Sequence, residues 1–122
     1  MSAEFTDFLI EQMAGFGAVS ARRMFGAAGL YHDGVMFALV ADDVLYFRVD
    51  DGTRSDFEAE GLDSFSYQTR SGRNAIMSYM RAPERCLEDS DEMTSWCRKA
   101  FGAAVRVRKP AARRARNPGR AR

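Results

Sequence analysis

The sequence predicts an α+β fold, a two-layer sandwich in which a five-stranded antiparallel sheet carries helices on one face, in the order α-β-β-β-α-β-β-α. Three observations carry that expectation. Residues 22–49 are apolar runs separated by two aspartate-centred turns, the pattern of successive hairpins. Residues 93–104 switch to helical spacing. A chain of 122 residues suggests one domain, long enough to bury a core without metal or disulfide staples.

The elements follow in order. Phe5, Phe8, Leu9 and Met13 recur at helical spacing, with Ser2 or Thr6 as a cap and Gly15 and Gly17 as a stop. Residues 22–49 read as three strands in a meander. Asp33-Gly34 supplies the first turn, because positive φ costs glycine little, and Asp42-Asp43 supplies the second. The glycines at 26 and 29 are placed inside the first strand or at a bulge within it. In the third strand Val44, Tyr46 and Arg48 face one way, and Leu45, Phe47 and Val49 the other. Thr53 followed by Asp56 comes close to a capping box, and Gly61 suits the end of a helix of about two turns. Two strands follow, "SFSYQT" and "AIMSYMR", joined by the polar segment "RSGRN". Beyond Pro83, Asp89 offers a helix start. Met93, Trp96, Cys97, Ala100, Phe101 and Ala104 then lie on one helical stripe.

Charge divides the chain. All seventeen acidic residues lie at or before Glu92, whereas residues 106–122 carry eight basic residues and no acidic one. Ten basic residues stand against seventeen acidic ones in residues 1–105, so an acidic body of net charge −7 carries a basic arm. The arm, "RKPAARRARNPGRAR", has almost no apolar side chain larger than alanine. Residues 1–106 are therefore expected to form the domain and 107–122 a disordered basic tail. No apolar run approaches the roughly 20 residues of a membrane span. The N-terminal stretch carries Glu4, Asp7 and Glu11 rather than the positive charge of a secretory leader. A cytoplasmic protein with two reduced thiols, Cys86 and Cys97, is expected.

The chemical candidates are weak. "GAAGLYHDG" lacks the Gly-Lys-Ser/Thr ending of a phosphate loop, and a strand follows it where a dinucleotide site needs a helix. A backbone-clamping GxxG loop at Gly26 and Gly29 would have to join two helices. His32 beside Asp33 suggests an acid–base pair, but strand neighbours point to opposite faces. Asp42-Asp43 and Asp50-Asp51 cap opposite ends of one strand, some 20 Å apart at about 3.3 Å per residue, too far for one shared cation. Cys97 lies on the apolar stripe. Cys86, near Arg81 and Arg85, is the better nucleophile candidate, without an apparent histidine partner. No catalytic, cofactor or metal residue is assigned. Arg22 and Arg23 point to opposite faces of their strand, so one lies under the helices. Tyr79 and Arg81, with Arg73 and Asn74 nearby, form a polar patch.

The block "RRMFGAAGLYHDGVMFALVADDVLYFRVDD" resembles the TfoX/Sxy N-terminal domain. The shared pattern is an arginine before Met-Phe-Gly, then Gly-Leu-Tyr, a turn, Met-Phe-Ala-Leu and a Leu-Tyr-Phe strand. The later "MSYMRAPERCLEDSDEMTSWCRKA" is similar to the family's passage from a Met-Ser-Tyr strand through a proline into the last helix. The resemblance spans residues 5–104 and places the family's arginine at Arg23. It implies the element order given above. It also implies kinship with regulators of natural competence that assist a cyclic-AMP receptor protein at promoters. Those regulators carry a second, C-terminal domain, and here an arginine-rich stretch stands where that domain would begin.

The expected function is accordingly a small, non-enzymatic regulatory or interaction module. Its partner would be a protein, with the transcription machinery the first candidate and Arg23 the partner-contacting residue. Arg113, Arg114 and Arg116 would add phosphate contacts to nucleic acid. A homodimer through an edge strand is compatible with this reading. The alternative is a small-ligand binder or enzyme with a pocket between sheet and helices.

Overall fold

A computed structural model describes the backbone of residues 3–24 and 26–116, and their side chains except those of Met24 and residues 108–116. It shows helix α1 (Ala3–Gln12), strands β1 (Ser20–Met24), β2 (Ala27–His32), β3 (Val35–Ala41) and β4 (Val44–Arg48), helix α2 (Arg54–Ala59), strands β5 (Ser64–Thr69) and β6 (Gly72–Arg81), a 3-10 turn (Glu84–Leu87) and helix α3 (Ser90–Arg116). The sheet is antiparallel throughout, in the order β1-β2-β3-β4-β6-β5.

The sheet has six strands where the sequence suggested five. The stretch read as one first strand folds back on itself, with Met24 pairing Ala27 and Gly26 lying at the reversal. Gly26 has φ +80°, a value that L side chains rarely adopt, so the glycine marks a reversal of the chain rather than a bulge within a strand. The other two turns form as expected, with positive φ at Asp33 and Gly34 and at Asp42 and Asp43. Thr53 departs from its expected role. It precedes α2 without a side-chain cap and instead exchanges bonds with Asp50: the Asp50 amide donates to its Oγ1 at 3.0 Å, and its own amide donates to Asp50 Oδ1 at 3.0 Å.

One hydrophobic cluster joins every helix to one face of the sheet. It contains Leu9 and Met13 from α1 and after it, Phe57 from α2, Cys86, and Met93, Trp96, Cys97, Ala100 and Ala104 from α3, packed on Leu30, Val40, Leu45, Phe47 and Met80. A bulge helps fill this layer. Leu30 pairs Ala38 but Tyr31 pairs Met36, which leaves Phe37 as an extra residue in β3. A bulge turns two successive side chains to the same side, so Phe37 and Ala38 both enter the core. Phe37 meets Phe16 at a ring separation of 5.2 Å and Phe101 at 6.4 Å.

Polar ties hold the helices to one another. Arg85 makes a fork with Glu60 at 2.7 and 2.9 Å and donates through Nε to Glu92 at 2.8 Å, while Trp96 Nε1 donates to the same Glu92 oxygen at 3.1 Å. Lys99 pairs with Asp56 at 2.8 Å. Helix α3 is also tied to the end of β4 by Arg106, whose Nε donates to Asp50 at 2.7 Å. That bond, more than any other neighbour, holds the Asp50 carboxyl below its ordinary range. Because the folded value is the lower one, the contribution is complete above an unfolded value of about 4 and is lost as pH falls through the folded value. Asp50→Asn should therefore flatten the acid limb of the stability curve by at most about 1 kcal/mol, since Arg106 is half exposed. Urea titrations at neutral pH and at pH about 3 would measure it.

The boundary expected at residue 107 falls within α3, whose backbone runs to Arg116. Residues 117–122 lie outside the described residues, as do the side chains of Arg113, Arg114 and Arg116. No described helix is long and apolar enough to cross a membrane.

Candidate functional site

The strands that carry the core on one face carry a different chemistry on the other. Cross-strand pairing sets Arg22 opposite Gly29, Gly29 opposite Leu39, Leu39 opposite Tyr46 and Tyr46 opposite Arg81. The neighbouring row pairs Arg48 with Tyr79 and Tyr31 with Met36. Paired residues share a face, so Arg22, Arg48, Arg81, Tyr31, Tyr46 and Tyr79 all stand away from the helices. Phe65 joins them, 4.9 Å from the Tyr46 ring, and Tyr67 stacks beside Phe65 at 6.2 Å. All four tyrosines of the chain are therefore on this open face.

The six strands contain five arginines and not one aspartate or glutamate. Every acidic residue lies in a helix, a turn or a loop, so the net negative charge of the body resides around the sheet and the open face is cationic. Arg22 lies 5.1 Å from the centre of the Tyr31 ring, and Arg48 lies 5.6 Å from that of Tyr79. Arg48 Nε is buried without a hydrogen-bond partner. Tyr79 is 7% exposed, and its burial raises the phenol above its ordinary value, with Arg48 partly offsetting that.

The face is curved. Gly26, Ala27, Ala41 and Asp42 line the same groove of about 320 Å³ as Phe65, Tyr67 and Arg73. In a flat sheet β3 and β5 would lie about 14 Å apart, three strand spacings. Their sharing a groove means that the sheet curls over this face. The curl also accounts for Leu39, only 6% exposed although no described helix covers it.

The residues singled out from sequence fall as follows. Arg23 is exposed on the helix side, where it lines a groove of about 180 Å³ with Ala3, Thr6 and Asp7 of α1. The two arginines thus take opposite faces as expected. The ion pairs found among the described residues involve His32, Arg85, Lys99 and Arg106, and neither Arg22 nor Arg23. Of the expected polar patch, Tyr79, Arg81 and Asn74 share the open face by register, and Arg73, offset from them by one position, lines the groove of that face and donates to Ser66 at 2.8 Å.

His32 and Asp33 do meet, at 3.5 Å, because Asp33 takes φ +50° and leaves the strand geometry that would have separated them. The contact is structural in setting. His32 Nδ1 bonds the Ala18 carbonyl at 2.7 Å, and the ring is wedged between Phe16 and Phe101 at 4.7 and 4.9 Å. A Cβ at Gly17 would come within 2.7 Å of His32 Cε1, so that glycine serves a close approach as well as the end of the first helical segment. Cys86 is fully buried and its thiol is pushed up to about 12, first by burial and then by Glu92, with Arg85 opposing. Cys97 is also buried and shifted upward for the same first reason. Among the described residues no group of three or more His, Cys, Asp or Glu is placed to hold a metal ion. The space between sheet and helices is filled by the core, and the groove lined by Arg23 opens at its margin.

Fold and face together define a two-layer α+β domain whose helices cover one side of an antiparallel sheet and leave the other, rich in arginine and tyrosine, uncovered by any described helix. The chain belongs to the TfoX N-terminal domain family, whose model matches residues 11–104. No curated protein matches it.

Proposed function

We propose that this domain is a non-enzymatic regulatory module that works by holding another macromolecule on its open sheet face. The observation that carries the reading is the segregation of charge and side-chain type, with arginine and tyrosine gathered on one curved face and every carboxylate outside the strands. Arginine and tyrosine are the residues that dominate interaction hot spots, and an uncovered face bearing both supplies a docking surface. The state of the candidate nucleophiles supports a binding role. His32 is engaged in packing, and both thiols are buried and protonated at neutral pH. Kinship with the TfoX N-terminal family favours a role in transcription. Edge strands β1 and β5 offer routes to a homodimer.

The basic stretch adds a second attachment. Arg113, Arg114 and Arg116 contribute phosphate contacts, each steepening the salt dependence of duplex binding by about 0.9 in log K against log salt. Complementation tests the regulatory reading. Cells lacking the gene should show an altered set of transcripts that the wild-type protein restores. A protein carrying Arg22→Glu and Arg81→Glu should fail to restore them at equal abundance, and Arg113→Gln, Arg114→Gln and Arg116→Gln should restore them in part. Unchanged transcripts on deletion, or full rescue by the charge-reversed face, would overturn the proposal.

A further inference from the structure

The geometry points to single-stranded nucleic acid as the occupant of the open face. This rests on the reading of that face as the working surface and names what it holds. A single strand presents negative phosphates in alternation with flat bases, and the face presents the complement. Arg22, Arg48 and Arg81 are guanidinium forks in a surface to which the strands add no carboxylate. Tyr31, Tyr46, Phe65 and Tyr67 supply rings, and two of the arginines already lie over tyrosine rings, extending the flat surface available for stacking.

Three further features select this occupant. The strand cations are all arginine, whose planar guanidinium stacks on flat rings as well as pairing with phosphate. Arg48 Nε is buried without a hydrogen-bond partner, in the row where Arg48 pairs with Tyr79. Part of the face is a groove bounded by β5 and by the turns at Gly26 and Asp42, lined by the rings of Phe65 and Tyr67 and by Arg73. A groove suits a thin flexible strand better than the rigid convex cylinder of a duplex. An acidic protein segment would satisfy the charges but would bring few flat faces for the rings.

The test is fluorescence anisotropy with the full chain and a labelled single-stranded oligodeoxythymidylate of about fifteen nucleotides, at about 50 and 200 mM salt. A matched duplex and a polyglutamate peptide serve as competitors. Tyr67→Ala, Arg22→Gln and Arg81→Gln are the informative variants because all three side chains are exposed and their loss leaves the core intact.

Wild type should bind the single strand in preference to the duplex. Tyr67→Ala should weaken binding by about tenfold, the loss of one stacked base. The two arginine variants together should flatten the salt slope by roughly 1.4, two single-strand contacts. The variant lacking Arg113, Arg114 and Arg116 should keep the single-strand preference. Equal affinity for single strand and duplex, or unchanged binding by all three face variants, overturns the inference. So does polyglutamate displacing the oligonucleotide at equal residue concentration, an outcome that would leave the face as a docking surface and assign it to an acidic protein segment.

Discussion

Phe37→Ala should destabilise the domain by about 3–5 kcal/mol, a loss on the scale of the total stability of a small domain. Phe37 is fully buried, and its ring is held by Phe16 and Phe101, so truncation leaves a void among side chains that other packing keeps in place. The setting sharpens the expectation. Phe37 is the residue by which β3 exceeds β2, and it reaches the core only because the bulge turns it there. Without the ring the bulge loses its anchor, and a regular strand register would turn the outer half of β3 over. A matched substitution on the open face, Tyr67→Ala, removes an exposed ring and should stay within about 0.5 kcal/mol. Urea unfolding of the two variants, read from midpoint shifts at constant slope, measures both. Equal midpoints would show that Phe37 is not part of the packed layer.

The contrast between Phe37 and Tyr67 also marks what was legible in the sequence. Helical spacing from Met93 to Ala104 reports a single-residue property, burial on one stripe, and the stripe packs as read. The Asp33-Gly34 and Asp42-Asp43 turns are equally local, because positive φ selects those residue types wherever they stand. The count of strands went wrong at Gly26, where glycine answers to two different needs. The same residue type suits a bulge inside a strand and a reversal between two, and only the pairing of Met24 with Ala27 separates them. His32 and Asp33 were separated by assuming strand alternation through a residue that in fact begins the turn.

The open face was visible only in part. Alternation assigned Tyr46 and Arg48 to one side of β4, and Tyr79 and Arg81 were grouped in β6. That these two pairs are neighbours depends on β6 entering the sheet between β4 and β5, a long-range choice that no local pattern encodes. One signal was available and would have found the face. Reading the strands as a set, rather than one by one, exposes five arginines without a single carboxylate among them. Charge in sheet proteins is commonly mixed on solvent-facing strands. Its complete sorting here is a property of the whole sheet.

Both thiols should resist a disulfide-exchange reagent in the native protein and react together once it unfolds. An ordinary cysteine near pKa 8.5 is about a quarter thiolate at pH 8, whereas a thiol at about 12 is roughly one part in ten thousand ionised. Ionisation alone thus slows Cys86 by a factor on the order of a thousand, and its complete burial blocks the approach of the reagent as well. Cys97 is shifted in the same direction and by the same cause. The labelling rate of the native protein should therefore follow the rate at which the domain opens. It should rise with urea in step with unfolding and accelerate in Phe37→Ala, which lowers the free energy of opening. Rapid native labelling of Cys86 would mean that Arg85 outweighs burial and that the thiolate is available for chemistry. Arg85 is instead committed to Glu60 and Glu92, and Glu92 itself opposes ionisation of the thiol. A positive neighbour whose charge is already shared by two carboxylates offers a thiolate little stabilisation, and the sequence position that made Cys86 look reactive is the one at which the 3-10 turn directs it into the core.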